Sequence, residues 1–164
     1  LSGALTRRAF LADVDRSAAL FVRYRRPASL ILCDIDHFNQ VNDMHGHVPG
    51  DMVIRAVADL CAALKRPSDA VGRLGGEEFG IVLPETGEEE AIRVAQRFCD
   101  AIRAAVIGDG LPIRVTASFG VAEITDERAP VQRWITAADA ALYHAKKTGR
   151  DRVCVTRLPT RAVA

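Results

Sequence analysis

A chain of 164 residues, 49% apolar and 26% charged, suffices for one domain with a substantial core and is too short for two ordinary ones. Its 22 basic and 21 acidic residues leave a net charge of +1, which excludes the broad basic field of a nucleic-acid polymer binder; any anion site must be local. Aromatic residues make up only 5%, so Leu, Ile, Val and Ala must build the core.

The first predicted element is a helix over about 7–25, followed by a strand at 29–34, SLILCD. A short helical segment near 37–44 leads to a longer helix at about 50–65, where Val53, Val57, Leu60, Cys61 and Leu64 recur at helical spacing. Strands near 70–74 and 79–83 flank GGEE, which makes residues 75–78 a hairpin turn. Thr86 reads as the N-cap of the next helix, whose first turn is acidic and whose apolar stripe is Ala91, Val94, Ala95, Phe98 and Ile102. Residues 113–121 alternate, with Ile113, Val115, Ala117, Phe119 and Val121 on one face, as in a half-buried strand. A helix at 131–146 stops at Gly149, and RVCV is a final short strand. This order predicts an α/β (α+β sandwich) fold: a mixed, mostly antiparallel sheet of about five strands flanked by helices.

Cys33, Cys61, Cys99 and Cys154 are far apart, lie among apolar neighbours and form no C-x-x-C pair, so buried reduced thiols in a cytoplasmic domain are expected. No apolar run approaches the ~18 residues of a membrane helix, and no signal peptide is recognisable. The chain begins at Leu1 without a methionine and reads as a piece of a longer protein.

Carboxylates carry the chemistry. Asp34 stands where a buried strand runs out, and Glu77 and Glu78 sit side by side in the hairpin turn. If the two strands are neighbours these groups converge, and they then repel one another unless a divalent cation binds between them. Gly75 and Gly76 let the backbone turn and leave room for a ligand to lie close. An exposed turn with solvated acids is the alternative for GGEEF alone. Asp36 reads either as a helix N-cap or as a further metal ligand.

These residues resemble those of the diguanylate cyclase family, named for its GGDEF hairpin, with Glu77 in place of the aspartate. The similarity extends over five ordered segments: LSGALTRRAF at the start, DIDHFNQVNDMHGHVPGD, RLGGEEFGIVLP, VTASFGVA and ADAALYHAKKTGRDRV. The resemblance implies a catalytic domain over residues 1–158 with a tail at 159–164, a regulatory domain upstream and a fold like the polymerase palm and the nucleotidyl cyclase core. The implied reaction joins two GTP molecules into cyclic di-GMP and pyrophosphate in a homodimer of half-sites. By the same resemblance, Asp34, Glu77 and the Ile35 carbonyl ligate two magnesium ions, with manganese as a substitute. Glu77 helps to deprotonate the attacking hydroxyl, and Glu78 supports the metal site.

Guanine specificity maps onto Asn42 and Asp51, since one carboxylate can accept from guanine N1–H and N2 together, whereas adenine presents an acceptor at N1. Loop capping is the alternative for both. Lys146 and Arg150 are assigned to the triphosphate, together with backbone N–H groups over His37, Phe38 and Asn39. The chain departs from the family pattern at Asn39, where lysine is usual, and at Asp151, where asparagine is usual. Arg66 and Asp69 match an inhibitory R-x-x-D motif for product, with Arg97 and Arg73 as further candidates; an i,i+3 ion pair at a helix end is the plain alternative. GTP, cyclic di-GMP and a second copy of the domain are the implied partners. A catalytically silent receptor for cyclic di-GMP or GTP is the competing function.

Overall fold

The computed structural model describes residues 3–108, 110 and 112–156; the assigned tail at 159–164 lies outside them. Thr6 opens the first helix, Arg7–Tyr24 (α1), by accepting the Ala9 N–H at 3.2 Å. Then follow the strand Ala28–Ile35 (β1), the helices Phe38–His45 (α2) and His47–Leu64 (α3), and the hairpin strands Ala70–Gly75 (β2) and Glu78–Pro84 (β3). The helix Glu88–Ala104 (α4), the strand Ala117–Glu123 (β4), the helix Val131–Lys147 (α5) and the strand Val153–Val155 (β5) complete the order.

The sheet runs β2-β3-β1-β4-β5, with every pair antiparallel except the parallel β4–β5 pair. The expected mixed, mostly antiparallel sheet of five strands is therefore present. Central strand β1 shows how it is sandwiched, because successive side chains leave opposite faces. Ile31, Cys33 and Ile35 join a core with Val53, Val57 and Cys61 of α3 and Val94 and Phe98 of α4. Leu30 and Leu32 join a second core, with Phe10 and Val14 of α1 and Trp134, Ala138 and Leu142 of α5. Trp134 of α5 is fully buried and donates its indole N–H to the Ala122 carbonyl at 2.8 Å. Full burial of side chains this large contributes roughly 1.5–3 kcal/mol each.

Three expectations are corrected. Residues 113–116 lie outside β4: Ile113 makes only an isolated bridge with Ile107, and Thr116 turns its carbonyl to the Asp36 N–H. Nor is β4 half-buried, because Ala117–Ala122 are buried on both faces. Its second face carries Ser118, Gly120 and Ala122, small residues over which α5 lies nearly backbone to backbone. A Cβ on Gly120 would stand 2.2 Å from the Leu142 nitrogen and 2.3 Å from the Ala138 oxygen. Likewise Thr86 does not cap α4; Gly87 holds that position without a side-chain hydrogen bond. The Thr86 hydroxyl instead donates to the Pro84 carbonyl and accepts from Arg66.

The segment ahead of α1 extends the sheet. Leu5 donates its N–H to the Val71 carbonyl and accepts the Arg73 N–H, lying parallel along the free edge of β2. Cys33, Cys61, Cys99 and Cys154 are free thiols, the first three buried as expected. No helix among the described residues is long and apolar enough to cross a membrane.

Candidate active site

The register of β1 decides which groups meet. Asp34 pairs with Glu78 of β3 and Ser118 of β4, so all three side chains share the sheet face covered by α1 and α5. The Ile35 N–H donates to the Glu77 carbonyl at 3.2 Å, which ties the hairpin turn to the end of β1. Gly76 sits in that turn at φ +43°, a left-handed conformation that a residue with a Cβ adopts at a cost.

A cleft of about 280 Å³ opens here, lined by Asp34, Ile35 and Glu77 together with Lys146 and Arg150. Asp36, His37, Phe38, Asn39 and Gln40 complete its lining. Helix α2 begins at Phe38 without a side-chain cap, so its first-turn N–H groups have no such acceptor. Lys146 Nζ donates to Asp34 Oδ2 at 2.5 Å. Burial pushes the Asp34 carboxyl above its ordinary range; Lys146 opposes this, and the nearby charges of Glu77 and Asp36 add to it. Glu78 is raised too, first by burial, then by Asp34 and Asp139. The expected convergence of carboxylates is real, and the electrostatics call for positive charge beside them. Among the described residues no three His, Cys, Asp or Glu side chains form a ready metal site. The available donors are carboxylate and carbonyl oxygens, the hard type that magnesium takes.

Asn42 and Asp51 lie away from this cleft, at the corner between α2 and α3. Asn42 Oδ1 rests against Gly50, where a Cβ would come within 1.9 Å, so the amide and the exposed Asp51 are neighbours across the corner. The N-cap reading of Asp36 is corrected. His37, at φ +55°, is the N-cap of α2, and the Asp36 side chain is buried. Its oxygens accept from the hydroxyls of Thr116 and Ser118, both at 2.7 Å, and from the Asp151 backbone N–H at 3.0 Å. Sequence reasoning missed this knot because Thr116 and Ser118 fall at the polar positions of the alternating segment 113–121, which looked solvent-facing.

Asp151, a departure from the family pattern, is matched by a residue that the sequence reading passed over. Arg103 of α4 donates from Nε to both Asp151 oxygens, at 2.9 and 3.0 Å. The R-x-x-D residues form a closed turn. Asp69 Oδ2 accepts the Arg66 backbone N–H at 3.0 Å and its Nε at 3.4 Å, while Arg66 Nη2 reaches Thr86 at 2.7 Å. Asp69 is buried, and its Oδ1 has no partner among the described residues. Arg97 lines a shallow cleft on α4 with Glu90, whose carboxyl is held low mainly by Arg93 and further by Arg66 and Arg97. Arg66 and Arg97 thus bear on one surface. Arg73 does not join them; its guanidinium is committed to the Gly76 carbonyl, at 2.8 and 3.1 Å, and braces the hairpin turn.

Residues 1–152 match the family model described as "Diguanylate cyclase, GGDEF domain". The chain belongs to this family. Diguanylate cyclase VdcA of Vibrio cholerae is 36% identical over 163 residues, covering 93% of this chain and 45% of the relative. Among solved structures, the active GGEEF domain of a diguanylate cyclase from Vibrio cholerae matches with a TM-score of 0.88 at 32% identity, over 94% of this chain and 98% of that one. The GGDEF domain of DgcB from Caulobacter crescentus, in complex with c-di-GMP, matches with a TM-score of 0.89 at 30% identity, over 94% and 92% of the two chains. The chain spans less than half the length of the curated diguanylate cyclases it matches, VdcA among them.

Proposed function

We propose that this GGDEF domain condenses two GTP molecules into cyclic di-GMP and pyrophosphate, each copy holding one GTP. The observation that carries the reading is the cleft at the Gly75–Gly76 turn, where mutually repelling carboxylates face Lys146 and Arg150. Asp34, Glu77 and the Ile35 carbonyl would hold magnesium, with the remaining ligands drawn from the nucleotide phosphates. Bound there, magnesium supplies charge that stabilises the attacking and leaving oxygens.

The chain's own groups do the rest. Glu77, at the cleft mouth, accepts the proton of the incoming 3′-hydroxyl, and Glu78, half-buried behind it, keeps negative charge beside Asp34. Lys146 leaves Asp34 for the triphosphate, joined by Arg150 and the N–H groups over His37–Asn39. Asn42 and Asp51 read the guanine edge at the α2–α3 corner. One cleft holds one donor or one acceptor, so two domains must meet face to face. Product regulation is assigned to Arg66 and Asp69, assisted by Arg97. The orphaned Asp69 oxygen supports a ligand there, and Arg66 must release Thr86 before its guanidinium can reach that ligand with Nη2.

The test is cyclic di-GMP formation from GTP and magnesium over a wide range of protein concentration, with Glu77→Gln as the control. A specific rate that rises with concentration, abolished in the folded variant, is the expected result. A variant as active as the natural chain would remove Glu77 from the mechanism. No product at any concentration, with cyclic di-GMP still bound in calorimetry, would make the domain a receptor.

A further inference from the structure

The Arg150 side chain lines the cleft from an unusual piece of backbone. Arg150 and Asp151 stand in succession at φ +60° and +46°, left-handed conformations that non-glycine residues rarely hold. Something must hold this turn. Arg150 has local anchors, its N–H donating to the Ala145 carbonyl and its carbonyl accepting from Arg152 Nε, both at 2.9 Å; the anchors that reach across the fold are at Asp151. Its backbone N–H donates to the buried Asp36 carboxylate, and its side chain takes both hydrogen bonds from Arg103 Nε. Arg103 is itself fixed, since Nη1 donates to Asp100 at 3.0 Å and Nη2 approaches the Cys99 sulfur at 3.7 Å. Asp36 in turn lines the cleft itself, between Ile35 and His37. One unbroken chain of contacts therefore runs from the end of α4, through the turn after α5, to the loop after β1.

We propose that Arg103 is a positioning residue for the triphosphate: its ion pair with Asp151 presets the strained turn so that Arg150 faces the cleft before GTP arrives. Arg103 stands outside that cleft and acts only through Asp151. The inference rests on the nucleotide reading of the cleft, though not on turnover. In Arg103→Ala the Asp151 carboxylate loses its cation, the turn samples right-handed conformations, and Arg150 must be ordered by the ligand itself. That cost falls on binding and spares the bound complex.

Calorimetry with GTP and magnesium, on the intact chain and four variants, tests this. Arg103→Ala should weaken GTP affinity about tenfold, the worth of one charge-assisted contact. Where turnover is measurable, KM should rise by a similar factor with kcat within about twofold. Arg103→Lys should recover part of the affinity. Asp151→Asn keeps the backbone N–H but gives up the ion pair, so it should lose affinity by a factor close to that of Arg103→Ala. The double variant Arg103→Ala/Asp151→Asn should lose no more than either single variant, because both remove the same pair. Losses that multiply in the double variant, or a fall in kcat with KM unchanged, would overturn the positioning role. If the natural chain binds GTP but makes no product, the cyclase reading fails while this comparison still decides the role of Arg103. If it binds no GTP at all, both fall.

Discussion

Lys146 occupies the carboxylate that a metal would need, and the pair is short and mostly shielded from water. A cation that neutralises Asp34 in the empty cleft competes with any divalent ion for the same oxygen, yet it also supplies a donor for phosphate. Lys146→Met should therefore move two affinities in opposite directions. Manganese binding without nucleotide, read by electron paramagnetic resonance, should tighten, and GTP binding should weaken, each by about tenfold. A loss of both together would reduce Lys146 to a phosphate ligand that leaves Asp34 unaffected. Exchange of this kind couples ion and nucleotide arrival through one side chain.

At the scale of elements, the close approach of α5 to β4 sets where Lys146 and Arg150 end up, and Gly120 permits it. Gly120→Ala would press a methyl group into backbone atoms that cannot rotate away. The expected cost is about 1–3 kcal/mol of stability, seen as a thermal midpoint several degrees lower and accompanied by weaker GTP binding as α5 backs off. An unchanged midpoint would mean that the layer shifts at little cost. The same contact explains where the sequence misled. Ile113 to Val121 alternate correctly on one face, but Ser118, Gly120 and Ala122 look like a solvent face because they are small. They are small because a helix lies on them. Strand existence, helix periods and the GGEE hairpin were legible, since each depends on local pattern. The Asp36 knot and the Arg103–Asp151 pair were not, because their partners lie 48 or more positions apart and only the sheet order brings them together. Thr86 was misread for a related reason: a hydroxyl ahead of a helix looks like a cap until Arg66 claims it.

For the molecule as a whole, the two proposed nucleotide sites stand at opposite ends of one strand. Asp69 precedes β2, and Gly75 closes it at the turn. Arg66→Ala should raise the cyclic di-GMP concentration needed for half-inhibition about tenfold with the initial rate little changed. An unaltered inhibition curve would place product regulation elsewhere on the surface.

Leu5 is stitched to Val71 and Arg73, midway along that strand, and Arg73 grips the turn through the Gly76 carbonyl. In mechanical terms, the hairpin has a handle. A tug or twist on the backbone just ahead of α1 is passed, through two backbone hydrogen bonds, to the edge strand that links both sites. Two residues farther along, it reaches the guanidinium that braces Glu77 and Glu78.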